Sequence, residues 1–455
     1  MPGRVSETTV QVSGIDEPDI VKTDGQEIYF SGAVREHWLP GIEERIVPPY
    51  YQTGLTRLIK AFPPADMKLD GSIDKAGNLL LSKNMLVIFS EQTFYRSDAA
   101  AAVYGYDVSS PRSAQKKWEI KLEKNNSLVA ARLYKDKIYA ITKKTIDQQQ
   151  PCPIKILEIG GSPLTIGCAD IYHPALSVPS DITFTAMILN PETGKIEKTV
   201  SFIGSSGSSV VYMSENAVYI TYTYTGNFIK FFSGFIREKG KDLFPVWFLE
   251  KMEKLESYDI GQAAKMTEFQ AMLEKFLNSL GDDERLKINN ELSNRLADYY
   301  KEHKRDLEKT GIVKIGLSGF DVDAVGSVPG HPLNQFALDE YQNHLRVAIT
   351  IGGFWGFGFG AGQADTANDV YVLDQNLKIS GAVKDMGLAE RIYSVRFIED
   401  KGYAVTFRET DPFYVLDLAD PKNPALKGEL KIPGYSAYLH PITKDKILGI
   451  GKEGW

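Results

Sequence analysis

The amino-acid sequence predicts an all-β fold, a β-propeller of about seven blades interrupted by an inserted α-helical hairpin. Three observations carry this prediction. A hairpin of two short apolar strands around a polar tip recurs seven times along the chain. Most copies lead into a second pair of strands, so four-stranded units return roughly every 45 to 58 residues, the period of propeller blades. Of the 455 residues, 43% are hydrophobic and 24% are charged, as in soluble globular proteins and unlike fibres or disordered chains.

The recurring hairpins carry Asp, Asn or Gly at the tip, because these residues adopt the backbone angles that a tight turn requires. Their second strand is rich in aromatic and β-branched residues and often ends in Thr or Ser. The seven copies span residues 20–31, 79–90, 131–142, 211–221, 341–350, 396–406 and 439–450.

A second module follows most hairpins and begins with an apolar strand that ends in Asp or Asn. Examples lie at residues 103–111, 186–194, 370–374 and 413–421. Two hairpins supply the four strands of one blade. A β-sandwich would not explain so many near-identical units, so a propeller is the better prediction.

Residues 241–311 depart from this pattern, because their composition shifts to the helix formers Leu, Met, Glu, Lys and Ala. The spacing predicts one helix over 260–280, a longer one over 282–311, and a third short helix near 243–255. The insertion is either a decoration between strands or a cap or docking arm over one propeller face. The chain is therefore divided into a first propeller part, the helical insertion and a second propeller part, at residues 1–240, 241–311 and 312–455.

The two cysteines, Cys152 and Cys168, lie in one loop-like stretch with turn-forming neighbours. A disulfide between them would close a loop of about 15 residues and would suit an oxidising compartment. The alternatives are two unpaired thiols or half of a metal site. We predict the disulfide.

The net charge of −7 argues against a protein that coats nucleic acid, which requires a basic face. No run of about 18 apolar residues occurs, so no transmembrane helix is predicted. The first residues lack the apolar core of a signal peptide. A cytosolic protein and an exported protein without its signal would both show this.

Six segments resemble the signature of a family of secreted prokaryotic proteins with a C-terminal β-propeller domain, distantly similar to WD40 repeats. They lie at residues 9–25, 200–212, 333–336, 392–397, 411–414 and 434–441. The resemblance covers nearly the whole chain. It implies a secreted or cell-surface propeller and no established reaction. An export signal is absent here and the chain stops at Trp455, where relatives continue. We therefore expect a truncated C-terminal end and, as an alternative, eight blades in the complete protein.

Aligned hairpins bring four basic residues to equivalent positions, seven residues before an aromatic or apolar residue of the second strand. They are Lys22, Arg132, Arg396 and His440. Because the first strand of each blade lines the channel, they would form a cationic ring for an anionic ligand or a partner's carboxylate. The alternative is that each pairs with a neighbouring acid such as Asp16, Glu17 or Asp19.

No cofactor is predicted, with calcium or a transition metal as lesser alternatives. His173, His331 and His440 each precede a proline and show no local metal motif. The acidic run 16–19 with Asp24 lacks the EF-hand spacing of a calcium loop.

A glycine-rich loop carries four aromatic residues that would bind a partner, a glycan or a lipid surface if exposed. They are Phe354, Trp355, Phe357 and Phe359. Folded down, the loop would plug the channel mouth or cover a blade. Its glycines resemble a phosphate loop only weakly, because no βαβ context surrounds them.

These features favour an extracytoplasmic binding or scaffold protein that engages a protein or a cell-envelope component at a propeller face. The alternative is an enzyme with a site at the channel mouth, with or without a metal. A pocket in which His440 faces a carboxylate would favour the enzyme, since fold alone does not decide.

Overall fold

The computed structural model describes residues 10–32, 35–37, 50–52, 54–90, 101–173, 178–352, 366–407, 411–432, 434–444 and 446–452. The chain forms two compact units. Unit 1 comprises Met1–His173, Asp181–Ile203 and Leu317–Asp321, and unit 2 comprises Pro174–Ser180, Gly204–Gly316 and Val322–Trp455.

Unit 1 contains three larger sheets and a separate two-stranded one. The first sheet, in the order β1-β2-β5-β6, consists of Val21–Thr23, Glu27–Ser31, Thr56–Lys60 and Lys68–Ile73. The separate hairpin pairs β3 (Arg35–His37) with β4 (Tyr50–Gln52). The second sheet contains β7 (Asn78–Ser82), β8 (Met85–Ser90), β9 (Ala102–Asp107), β10 (Gln115–Leu122), β13 (Ile154–Ile159) and β14 (Ser162–Ile166). Its strands lie side by side in the order β14-β13-β10-β9-β8-β7. The third sheet contains β11 (Asn126–Tyr134), β12 (Lys137–Thr145), β15 (Ile171–Tyr172), β16 (Ile182–Leu189) and β17 (Ile196–Gly204). Its strands lie side by side in the order β11-β12-β16-β17-β15.

Unit 2 contains three antiparallel four-stranded sheets and a final hairpin. The sheet β18-β19-β20-β21 consists of Val211–Met213, Ala217–Thr225, Glu308–Gly316 and Asp321–Pro329. The sheet β22-β23-β24-β25 consists of Leu338–Tyr341, His344–Ile351, Ala367–Leu373 and Ile379–Met386. The sheet β26-β27-β28-β29 consists of Arg391–Ile398, Lys401–Phe407, Asp411–Asp417 and Ala425–Ile432. The hairpin pairs β30 (Tyr435–Thr443) with β31 (Lys446–Lys452).

Unit 2 also carries four α-helices within the described residues, all between β19 and β20. They are α1 (Phe228–Phe235), α2 (Val246–Ser257), α3 (Gln262–Asn278) and α4 (Asp282–Leu307), with a π-helical turn at Ile236–Gly240. Short 3₁₀ turns occur in both units at Pro64–Asp66, Pro111–Ser113, Cys168–Asp170, Lys241–Leu243 and Gln335–Ala337.

All seven predicted hairpins are present, and the all-β class is confirmed. Two hairpin tips have the positive backbone angles that the sequence indicated. Lys135 and Asp136 have φ of 48° and 58°, and Gln342 and Asn343 have φ of 49° and 62°. Two consecutive positive φ values match the twist of the flanking strands. Six hairpins lead into sheets of four or more strands in the described part of the chain, and β30–β31 has two. The blade number stays a prediction.

The helical segment differs from the predicted bounds of 241–311. It begins at Phe228, because the amide of Lys230 bonds to the Asn227 side chain at 2.9 Å and starts a helix in an apolar, strand-like stretch. It ends at Leu307, and Gly311 lies inside β20. A Cβ on Gly311 would come within 2.5 Å of the Tyr222 ring. That glycine therefore serves close strand packing and not a helix end.

Candidate functional site

Two of the predicted ring residues lie buried in unit 1 beside acidic residues. The Lys22 ammonium lies 2.8 Å from Asp16 Oδ1 and donates to the Glu17 carbonyl at 2.6 Å. Arg132 Nε is 3.8 Å from Glu17 Oε1, and burial lowers the pKa of Arg132 while Glu17 opposes that shift. Both cations therefore have the acidic neighbours that the alternative interpretation named.

The other two ring residues lie in unit 2. The Arg396 guanidinium lies 5.1 Å from the centre of the Phe336 ring, and His440 Nδ1 is 3.2 Å from the Tyr438 hydroxyl. Arg396 pairs with Tyr403, as aligned, whereas His440 pairs with Leu448 and not with Ile447, because a bulge follows Pro441. The aligned register holds for three copies, and the ring itself stays a prediction.

The acidic run at residues 16–19 and Asp24 bind protein groups. Asp16 Oδ1 accepts from the Glu17 amide, Asp19 Oδ1 from the Ile20 amide, and Asp24 Oδ1 from the amides of Gln26 and Glu27. Across the described ranges, no three His, Cys, Asp or Glu side chains are grouped to hold a metal ion. The calcium and transition-metal alternatives stay untested.

The predicted disulfide is present in the structure and joins Cys152 to Cys168 in unit 1. Just after it lies a cleft of about 340 Å³, with Asp170, Tyr172 and Asp321 in its lining. The Tyr172 hydroxyl donates to Asp321 Oδ1 at 2.6 Å, and this bond raises the pKa of Tyr172. A phenol held in this way acts as a donor and not as a base.

The four aromatic residues of the glycine-rich loop, Phe354, Trp355, Phe357 and Phe359, lie outside the described residues. Their binding role stays a prediction. The structure does describe Gly352, where that loop begins. Its amide donates to Glu308 Oε2 at 2.9 Å.

Glu308 also contacts His331, which the sequence analysis did not distinguish from His173 and His440. Glu308 Oε1 lies 2.6 Å from His331 Nδ1. The Glu308 side chain is 16% exposed and that of His331 is 36% exposed, so the imidazole is partly exposed to solvent. A carboxylate at Nδ1 fixes the ring orientation and leaves Nε2 available for proton transfer or for a ligand.

The four helices, which we call the helical arm (residues 228–307), have their own aromatic core. Phe232 and Phe269 meet edge to face at 4.7 Å, Phe231 and Tyr299 do so at 5.1 Å, and Phe244 stacks on its neighbour Phe248. Such pairs contribute beyond the area that they bury. The arm is therefore a packed unit and not a loose loop.

A buried ion pair connects the arm to the neighbouring sheet of unit 2. Arg305, near the end of α4, donates from Nε and Nη2 to the two oxygens of Asp369 on β24, at 2.8 and 2.9 Å. Nη2 also donates to Asp385 at 2.8 Å, and the Tyr371 hydroxyl donates to Asp369 at 2.8 Å. Asp369 is fully buried. These bonds, first those to Asp369, raise the pKa of Arg305, so the guanidinium stays charged.

The outer surface of the arm exposes apolar side chains at four positions. They are Val246, Tyr258, Ile260 and Leu286, exposed by 69%, 52%, 47% and 63%. Scattered apolar residues are normal on a protein surface. Here they belong to an inserted unit whose helices already have a filled core.

Sequence reasoning missed the Arg305–Asp369 pair and the His331–Glu308 pair. A signal existed for the first, because Asp369 interrupts an apolar strand, where a carboxylate must be paired if buried. No local signal existed for the second. Its partners are 23 residues apart on different elements.

No described helix is both long and apolar enough to cross a bilayer. Comparison with known proteins gives the family: residues 5–454 match the family described as beta propeller domain. A similar curated protein, uncharacterized, from Archaeoglobus fulgidus is 45% identical over 452 residues, which cover 99% of this chain and 68% of that protein. Another, from Methanocaldococcus jannaschii, is 37% identical over 458 residues, covering 99% and 66%. The chain thus spans about two thirds of the length of these relatives.

Solved structures resemble the chain at low identity. An acylaminoacyl peptidase from Pyrococcus horikoshii superposes with a TM-score of 0.36 at 10% identity, over 95% of this chain and 48% of that one. The C-terminal WD40 domain of Sif2 gives a TM-score of 0.27 at 9% identity, over 94% and 92%. Likenesses this weak carry no argument about activity or partners.

Proposed function

The chain belongs to the beta propeller domain family, and on that basis we propose that it is an extracytoplasmic binding or scaffold protein. It engages a protein or a cell-envelope component, and the helical arm forms part of the docking surface. The aromatic loop belongs to this proposal as a further contact site. A binding scaffold is a common use of propeller surfaces, although the fold alone does not assign it.

The observation that carries the proposal is how the arm is inserted. Thr225 and Glu308 pair directly as the ends of β19 and β20. Because a hairpin between paired strands can close with two residues, residues 226–307 are not needed to connect this sheet. They form a separately packed helical unit instead, fixed to β24 by Arg305 and Asp369. A rigidly held insertion loses little conformational freedom when a partner binds it.

The disulfide supports the extracytoplasmic part of the proposal. A bond between Cys152 and Cys168 forms and persists most readily in an oxidising compartment. The secreted family that the sequence resembles has the same location. Fractionation of cells that express the native protein tests it directly: recovery in the cytoplasmic fraction with free thiols would refute this part.

A matched pair of variants tests the docking role. In the arm variant, the four exposed apolar residues of the arm are each replaced by Lys, at Val246, Tyr258, Ile260 and Leu286. In the control variant, four similarly exposed blade residues of unit 2 are replaced by Lys. The control residues are Val325, Ile379, Leu426 and Leu430, exposed by 51%, 48%, 44% and 60%.

Both variants should keep the stability of the parent, because exposed substitutions usually change it by less than about 0.5 kcal/mol. Envelope extracts are then passed over each immobilised protein. We expect the parent and the control to retain the same saturable partner and the arm variant to lose it at least tenfold. Equal recovery by all three would refute the docking role of the arm.

The second candidate, an enzyme, is favoured by one observation. Glu308 orients His331, as a carboxylate orients a general base, and the ring is partly exposed. A panel of ester, peptide and phosphoester substrates tests this candidate. Turnover that His331→Gln abolishes, and that His344→Gln leaves unchanged, would support it. His344 is a suitable control, because its Nδ1 bonds to the local Gln342 carbonyl at 2.9 Å and not to a carboxylate.

A further inference from the structure

A short motif of unit 1 lies apart from every site described above. Asn125-Asn126-Ser127 is an Asn-X-Ser sequence, the acceptor motif for N-linked glycosylation in exported proteins. No other asparagine of the 455-residue chain is followed two residues later by Ser or Thr. Because three residues alone do not assign a modification, the place of the motif in the fold decides what it can do.

The motif lies at the turn between β10 and β11. The Asn126 amide donates to the Glu123 carbonyl at 3.0 Å, which closes a four-residue turn over residues 123–126. Asn125 is the third residue of this turn and has φ of 61°. A positive φ at the third position is typical of a type II turn, where Gly and Asn are preferred. The turn therefore places Asn125 at an exposed corner between two strands.

The two adjacent asparagines have different environments. Asn126 is 7% exposed, and its Nδ2 donates to the Ile156 carbonyl on β13 at 2.6 Å. Asn125 is exposed, and the part of the chain that the structure describes gives its side chain no hydrogen-bond partner. Ser127, the third residue of the motif, is exposed as well. Asn126 therefore holds the turn in place, while the Asn125 amide and the Ser127 hydroxyl stay open to a transferase.

The disulfide in the same unit is consistent with this modification. A bond such as that between Cys152 and Cys168 persists in an oxidising compartment outside the cytoplasm. N-linked glycans are attached to surface loops of secreted proteins. A chain that is exported and oxidised in this way therefore presents the Asn125 corner where the modification takes place.

We propose that Asn125 carries an N-linked glycan, an inference that rests on the extracytoplasmic location proposed above and not on the docking role of the arm. The donor is a lipid-linked oligosaccharide. The bond between the sugar C1 and the lipid phosphate oxygen breaks, and a bond between C1 and Asn125 Nδ2 forms. The lipid phosphate leaves with the electron pair, and the amide loses one proton. The product carries a bulky, hydrophilic group on the surface of unit 1.

Mass spectrometry of the native protein, purified from the cells that produce it, tests the proposal. Peptides that contain Asn125 should be heavier than their sequence by a whole oligosaccharide. Peptides that contain Asn84 should have the mass of their sequence. Asn84 is a matched control, because it is also exposed at a turn, between β7 and β8, but Leu86 stands two residues after it.

Two substitutions at Ser127 separate glycosylation from other changes at Asn125. Ser127→Ala removes the hydroxyl of the motif and should lower the glycosylated fraction at least about tenfold, whereas Ser127→Thr keeps a hydroxyl and should retain the glycan. Both variants should fold as the parent does, because Ser127 is exposed. A mass increase at Asn125 that persists in Ser127→Ala would overturn the proposal, because it would not depend on the motif.

Cell fractionation distinguishes failure of this proposal from failure of the proposed location. An unmodified Asn125 in protein recovered outside the cytoplasm would overturn the glycan and leave the location intact. An unmodified Asn125 in cytoplasmic protein with free thiols would refute both.

Discussion

The ion pair between Arg305 and Asp369 allows a quantitative prediction about how the arm is held. Arg305→Met keeps the length of the side chain and removes its charge. Asp369 then stays fully buried as a carboxylate without its cation. Breaking a buried pair in this way costs about 3–5 kcal/mol. We expect the lower end, about 3 kcal/mol, since Asp369 still accepts from Tyr371 and the Asp385 amide, and the Arg305 side chain is 24% exposed.

Chemical denaturation followed by circular dichroism gives the free energy of unfolding of the variant and the parent. The control is Arg285→Met on the same helix. Arg285 contacts Asp282 at 3.2 Å, but their side chains are 45% and 96% exposed. An exposed pair of this kind contributes less than about 1 kcal/mol. Both variants remove a guanidinium group, but Arg305 bonds to both oxygens of a fully buried carboxylate, whereas Arg285 makes one exposed contact.

A double-mutant cycle separates the pair from other effects of the substitution. In the Arg305→Met chain, Asp369→Asn removes the unpaired charge, so the double variant should be more stable than the sum of the two single effects. We expect a coupling of about 2 kcal/mol, within the range for residues in contact. If the free energy of unfolding of the Arg305→Met variant is within about 0.5 kcal/mol of that of the parent and the coupling energy is near zero, the reasoning about the buried pair is wrong.

Three further predictions follow from single residues. Tyr300→Phe should stabilise the protein by about 1 kcal/mol, because the Tyr300 hydroxyl is buried and has no hydrogen-bond partner among the described residues. Tyr371→Phe should destabilise it by about 1.5 kcal/mol, because it removes a donor to Asp369. Equal effects of the two variants on the free energy of unfolding would contradict this. Cys152→Ser should lower the free energy of unfolding by about 3 kcal/mol, because it removes the disulfide. A reductant should lower the free energy of unfolding of the parent by the same amount and leave that of the variant unchanged. Burial raises the pKa of Tyr106, Tyr222 and Tyr300 from 10.0 to about 12, so ionisation of these phenols should leave the free energy of unfolding unchanged below pH 10 and lower it as pH rises towards 12. Phenolate absorbance that rises fully by pH 11 in the folded protein would refute this.

The repeated hairpins were predictable from sequence because strand pairing here depends on local patterns. Alternating apolar residues and tips such as Lys135-Asp136 determine both the strands and their turn. The disulfide was predictable for the same reason, because Cys152 and Cys168 lie within one loop. These features require little information from distant parts of the chain.

The helical arm was predicted in kind but not in extent. Its later helices have helix-forming composition, whereas α1 is rich in Phe and is helical because Asn227 caps it and the arm core takes up its rings. The Arg305–Asp369 pair joins residues 64 apart. Such a contact depends on how a helix packs on a sheet, and no spacing in the sequence specifies it.

The measurement that tests the central proposal most directly is site-specific photocrosslinking in intact cells. A photoreactive amino acid is placed at Tyr258 or Leu286 on the arm, or at the control positions Val325 and Leu430, all of which are exposed. The proposed function predicts that both arm positions crosslink the same envelope protein or component and that neither control position does. Crosslinking from the control positions alone, or none from either arm position, would contradict the docking role of the arm.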